Sequence, residues 1–165
     1  MSKIVSDYDN IDTEVFEIFK EYNPKICTNA DEGFAWLEDD DERFVIPNPH
    51  TENPYYMNSI EIEFDLDITL DFGPWHTHFD RYPYQIDDMI KTINDIISGE
   101  VCAISLFDSD GEWYGDNLVS ISNISKPIPE LFPYQFETKE FSRKLNEKGY
   151  TVHFTFWDPK YNKTV

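Results

Sequence analysis

Residues 60–72 read Ile60-Glu61-Ile62-Glu63-Phe64-Asp65-Leu66-Asp67-Ile68-Thr69-Leu70-Asp71-Phe72, seven apolar side chains alternating without exception with six polar ones, five of them carboxylates. A period of two belongs to a β-strand, whose successive side chains point to opposite faces. The stretch therefore predicts one long half-buried strand with an apolar face and a carboxylate face. Gly73-Pro74 breaks or turns it. Trp75-His76-Thr77-His78-Phe79 resumes the alternation with Trp75, Thr77 and Phe79 on one face. An antiparallel pair of strands is expected.

Helical spacing appears on either side of this pair. Ile11, Val15, Ile18, Phe19 and Tyr22 predict a helix over 12–22, capped by Asp12 or Thr13 and stopped by Asn23-Pro24. Ile86, Met89, Ile90, Ile93, Ile96 and Ile97 form the stripe of a second helix over 87–98, closed by Gly99 and expected to pack on the sheet. A third, over 138–148, presents Phe141 and Leu145, and places Arg143, Lys144 and Lys148 at the negative end of its dipole. Short strands are expected at 34–37 and 43–46, a hairpin at 101–107 and 112–114 with 118–121 continuing its edge, and a last strand at 150–156. Pro47, Pro49 and Pro54, and later Pro127, Pro129 and Pro133, mark loops. The fold class is α+β: an antiparallel or mixed sheet of about four to six strands packed on one face by two to three helices. One domain is expected over residues 1–165.

At 165 residues, with 13 Phe, ten Tyr and four Trp, the chain has material for a core that needs no staples. Its net charge of −20 therefore sits on a folded protein, and unevenly: residues 1–125 hold six Lys and Arg against 28 Asp and Glu, residues 126–165 hold seven against five. Such a field repels nucleic acid and anionic lipid and attracts basic proteins, unless it serves solubility alone. Cys27 and Cys102 lie far apart and in no metal-ligand spacing, so reduced, partly buried thiols are expected. The first residues form no apolar leader and no stretch is long enough to span a membrane, which implies a cytoplasmic protein.

Five features bear on chemistry. The carboxylate ladder Glu61, Glu63, Asp65, Asp67 and Asp71 carries like charges on one strand face, a cost that a docking Lys or Arg of a partner offsets; a solvated outer face is the plainer alternative. His76 and His78 point the same way, with Asp80 following, and ligate a metal only if a third ligand converges. Asp108-Ser109-Asp110-Gly111-Glu112 does not align as a calcium loop, because Leu106 falls at the first ligand position; it reads as a turn whose Asp side chains hold backbone groups and whose Gly is left-handed. No nucleophile elbow, phosphate loop or zinc helix motif is present. Catalysis by Cys27 or Cys102 with His50, His76, His78 or His153 has nothing to recommend it. No catalytic residue, metal site or cofactor is expected.

The acidic alternating strand, Gly73-Pro74-Trp75-His76-Thr77-His78-Phe79, the helix ending in Ser98-Gly99 and the hairpin with Asp110-Gly111-Glu112-Trp113 together resemble the small acidic immunity proteins of bacterial polymorphic toxin systems. That resemblance implies a non-enzymatic cytosolic inhibitor that binds a cognate toxin domain, often a nuclease. The charge pattern points independently to a basic protein partner, and to neither nucleic acid nor membrane. Candidate partner-binding residues are Glu61, Glu63, Asp65, Asp67, Asp71, His76, His78 and Asp80, with Trp113 as an aromatic anchor nearby. Two other readings stay open: a nucleic-acid mimic that blocks a DNA-binding enzyme, and a metal-dependent enzyme built on His76 and His78.

Overall fold

A computed structural model describes residues 10–165. The chain divides into two compact units at Asn94/Asp95. The class is α+β: among the described residues five α-helices and two wholly antiparallel sheets, of five and four strands, over which the strands expected of a single sheet are distributed.

The first unit holds β1 (Lys25–Cys27), β2 (Arg43–Ile46), β3 (Ile60–Phe64), β4 (Ile68–Phe72) and β5 (Trp75–Phe79), hydrogen-bonded in that order. The expected single strand over 60–72 is a hairpin. Asp65-Leu66-Asp67 turns the chain, and Phe64 pairs with Ile68. Ile60, Ile62, Ile68, Leu70 and Phe72 are fully buried as the alternation demands, whereas Leu66 stands 93% exposed at the tip. Gly73-Pro74 makes the next turn, with Gly73 at φ 55° and Phe72 opposite Trp75.

Helix α1 (Ile11–Ile18) buries Ile11 and Val15, and its Phe16 ring meets Phe44 edge-on with centroids 5.8 Å apart. Lys20–Tyr22 tightens to a 3-10 turn, and Asn23, left-handed at φ 57°, ends it where Asn23-Pro24 foretold. Asp12 does not cap α1; it lies in the first turn, where its carboxylate accepts the Thr13 amide at 2.8 Å. Residues 34–37 form turns rather than a strand, because Phe34 and Leu37, three apart, both point inward to a small cluster with Cys27 and Val45 while Trp36 points out. Gly33 has φ 86° and lies against the Tyr56 ring, so a side chain there meets both strain and a clash.

Helix α2 (Pro83–Ser98) begins one turn earlier than the apolar stripe suggests, with Pro83 in its first turn, and buries Ile86, Met89, Ile93 and Ile96. In the second unit β6 (Val101–Asp108), β7 (Trp113–Ser120), β8 (Tyr150–Thr155) and β9 (Lys163–Thr164) stand in the order β7-β6-β8-β9. Helices α3 (Ile128–Leu131), α4 (Pro133–Glu137) and α5 (Lys139–Lys148) bring Leu131 and Leu145 onto the inward row Cys102, Ile104 and Leu106 of β6, where Val152 and Phe154 of β8 join them. The proline-marked loop at 126–136 thus contains two short helices. Among the described residues no helix is long and apolar enough to cross a membrane.

Candidate functional site

Antiparallel partners that stand opposite one another share a face, so the five-stranded sheet sorts the candidate residues by register. Glu61 lies opposite Asp71, and Asp71 opposite His76; one step along, Glu63 lies opposite Thr69, and Thr69 opposite His78. The structure therefore brings five of the nine predicted residues, Glu61, Glu63, Asp71, His76 and His78, onto one face. Asp65 and Asp67 flank the β3–β4 tip, and exposed Asp80 follows β5. Trp113 begins β7 in the second unit, 58% exposed, its indole N–H donating to Asp116 Oδ1 at 2.9 Å.

Glu61 and Asp71 are half-buried carboxylates side by side. Burial pushes the Glu61 carboxyl above its usual range and the Asp71 charge adds to that, with Arg43 opposing. Burial likewise raises Asp71, against the charges of His76, Arg43 and His78. Register also places Lys25, ion-paired to Asp31, on this face, but the cation that acts on both Glu61 and Asp71 is Arg43, and it is already engaged: Nη2 lies 3.2 Å from Glu63 Oε2, Nη1 donates to the Glu42 carbonyl at 2.9 Å, and the guanidinium sits 5.3 Å from the centre of the Trp36 ring. His78 Nδ1 lies 3.1 Å from both Asp67 Oδ2 and Thr69 Oγ1, and the His76 and His78 rings meet edge-on at 5.4 Å.

Trp36 and Arg43 escaped the sequence reading. Trp36 is 63% exposed, with its indole N–H held by the Gly33 carbonyl at 3.0 Å. The signal was the three-residue spacing of Phe34 and Leu37, which puts both inside and leaves the intervening Trp36 outside. Asp12, Asp40, Asp41, Glu42, Glu63 and Asp65 line a cleft of about 300 Å³ that Phe44, Ile62 and Phe64 also border, so the acidic run and the ladder adjoin.

Among the described residues no group of three or more His, Cys, Asp and Glu converges to hold a metal ion. Cys27 and Cys102 are buried, and burial pushes each thiol up to about 11, so neither supplies a thiolate nucleophile near neutrality. What the face offers is fixed negative charge with hydrogen-bond acceptors and one exposed indole. The chain matches no family model, and comparisons with curated proteins and with solved structures found no match.

Proposed function

We propose that this chain is an immunity-type inhibitor, acting in the cytoplasm, that binds and neutralises a basic, nuclease-like bacterial toxin domain through the acidic face of its five-stranded sheet, without catalysis. The observation that supports this reading most is the opposed pair Glu61 and Asp71: two half-buried like charges in register, with Arg43 the cation that both share. Cross-strand like charges destabilise a sheet, and a Lys or Arg donated by a partner relieves them. Charge of this sign also speeds encounter with a basic surface and occupies the region a nuclease uses to hold phosphate.

The test is protection. Toxin domains encoded beside this gene are expressed in a bacterial host with and without the chain, and with its Glu61→Gln, Asp71→Asn double variant. Growth arrest relieved by the wild type and restored by the variant, at unchanged or higher melting temperature of the variant, is the expected result. Failure to protect against any of them sinks the reading, and broad inhibition of unrelated DNA-binding enzymes replaces it with nucleic-acid mimicry.

A further inference from the structure

The tip of the β3–β4 hairpin presents a leucine where a turn ordinarily carries Gly, Asn, Asp or Ser. Leu66 is 93% exposed and contributes nothing to the core. Yet its backbone is pinned from several sides. The Asp65 amide donates to the Asp67 carbonyl at 3.1 Å, the Leu66 amide to Asp65 Oδ1 at 2.8 Å, and Arg81 donates both Nε, at 2.7 Å, and Nη2 to the Asp65 carbonyl.

Arg81 also ties the tip to the segment that carries Tyr82 and Tyr84. These rings are 56% and 64% exposed and stack 5.9 Å apart with planes 8° from parallel. A single exposed leucine is ordinary on a protein surface. A leucine on an anchored tip, joined through one arginine to a stacked tyrosine pair, is an apolar surface already ordered for contact.

We infer that Leu66 is a plug residue, inserted on binding into an apolar pocket of a protein partner whose rim carries Lys or Arg. The rim follows from charge complementarity: Asp65 and Asp67 flank the leucine and Asp80 precedes the Arg81 anchor. Because the tip is held before the partner arrives, insertion loses little conformational freedom, and more of the gain from burying the side chain appears as affinity. The inference rests on the reading of this end of the sheet as a docking surface for a basic protein, and adds which side chain anchors it.

A photo-crosslinking residue, benzoylphenylalanine, placed at position 66 of the full chain in its native cell tests this, with the same residue at exposed Asn146 as control. The expected result is one cationic protein captured from position 66 and not from position 146, displaced by excess wild-type chain but not by excess Leu66→Ser chain. The purified captured protein should then bind Leu66→Ser roughly 30-fold more weakly than wild type, the size of a hot-spot loss, at an unchanged melting temperature of the variant. No crosslink from position 66, capture of many proteins alike, or equal displacement by both competitors overturns the inference. A captured protein without toxicity sinks the toxin reading and leaves the plug standing. A toxin neutralised equally by wild type and Leu66→Ser does the reverse.

Discussion

Asp108 is a charge at home in the fold. Its side chain is out of solvent and its oxygens accept the Asp110 amide at 2.8 Å, the Glu112 amide at 3.0 Å and the Tyr114 hydroxyl at 3.1 Å, with Lys148 at 3.8 Å. Burial alone would raise its carboxyl, but these bonds and that charge outweigh it and hold the carboxyl below the usual range. A depressed group stabilises the fold above its unfolded value and loses that contribution as pH falls through the lower folded value. Asp108→Ala should lower the melting temperature at pH 7 and flatten its fall below about pH 4; equal melting curves for variant and wild type would contradict this. Glu61 runs the other way. Its raised carboxyl makes the folded state hold the proton longer, so its penalty is absent below the ordinary value of 4.5 and full above the raised one. Glu61→Gln should therefore melt higher than wild type at pH 7 and no higher near pH 3.5, a difference read from thermal unfolding at the two pH values. The Asp108 turn was legible in the residues themselves, down to Gly111 at φ 84°. The strain at Glu61 was not, because its first cause is burial and its second a residue ten positions away that only the fold-back sets opposite it.

At the scale of elements, the hairpin shows why a perfect alternation concealed a turn. The three-residue loop 65–67 sets Phe64 opposite Ile68, and residues four apart share a face in a straight strand as well. A loop of odd length therefore preserves parity, and the sequence reads through it unbroken. The two-residue loop at Gly73-Pro74 sets Phe72 opposite Trp75, three apart, so parity slips and the turn is visible. The faces were thus readable while the number of strands was not. The fold-back also sharpens the electrostatics: in a straight strand Glu61 and Asp71 would stand about 33 Å apart at about 3.3 Å per residue, whereas opposed residues hold their Cβ atoms about 5 Å apart. Two substitutions separate the hairpin from the strand. Ile62→Ala, in the buried row, should cost about 3 kcal/mol by urea unfolding. Leu66→Ala should cost less than about 0.5 kcal/mol; a loss there comparable to that at Ile62 would return Leu66 to the core and restore the single strand.

Over the whole molecule the acidity was legible from composition, and register gives it direction. Residues 1–94 hold 22 acidic against six basic residues, and residues 95–165 hold 11 against seven, so most of the imbalance travels with the unit that carries the ladder. Trp36 joins that unit's acidic face through Arg43, whereas Trp113, the anchor read from sequence, belongs to the other unit. In the irregular loop 28–42 the one signal is the three-residue spacing of Phe34 and Leu37, too short to set a period, so the regular half of the site was the part seen in advance. Rim charges act mainly on encounter, and buried anchors on dissociation. Asp65→Lys with Asp67→Lys changes the local charge by four units at exposed positions, with little bearing on the core. Binding of a neutralised toxin domain should then show an association rate at least ~10-fold below wild type at low salt. The two rates should converge at about 1 M salt, where the screening length falls to about 3 Å. Stopped-flow measurement at both salt concentrations decides it. A double variant that associates as fast as wild type at low salt would leave the tip carboxylates as solvated surface and move the steering to the cleft formed by Asp40, Asp41 and Glu42, where charge reversal would then have to slow association instead.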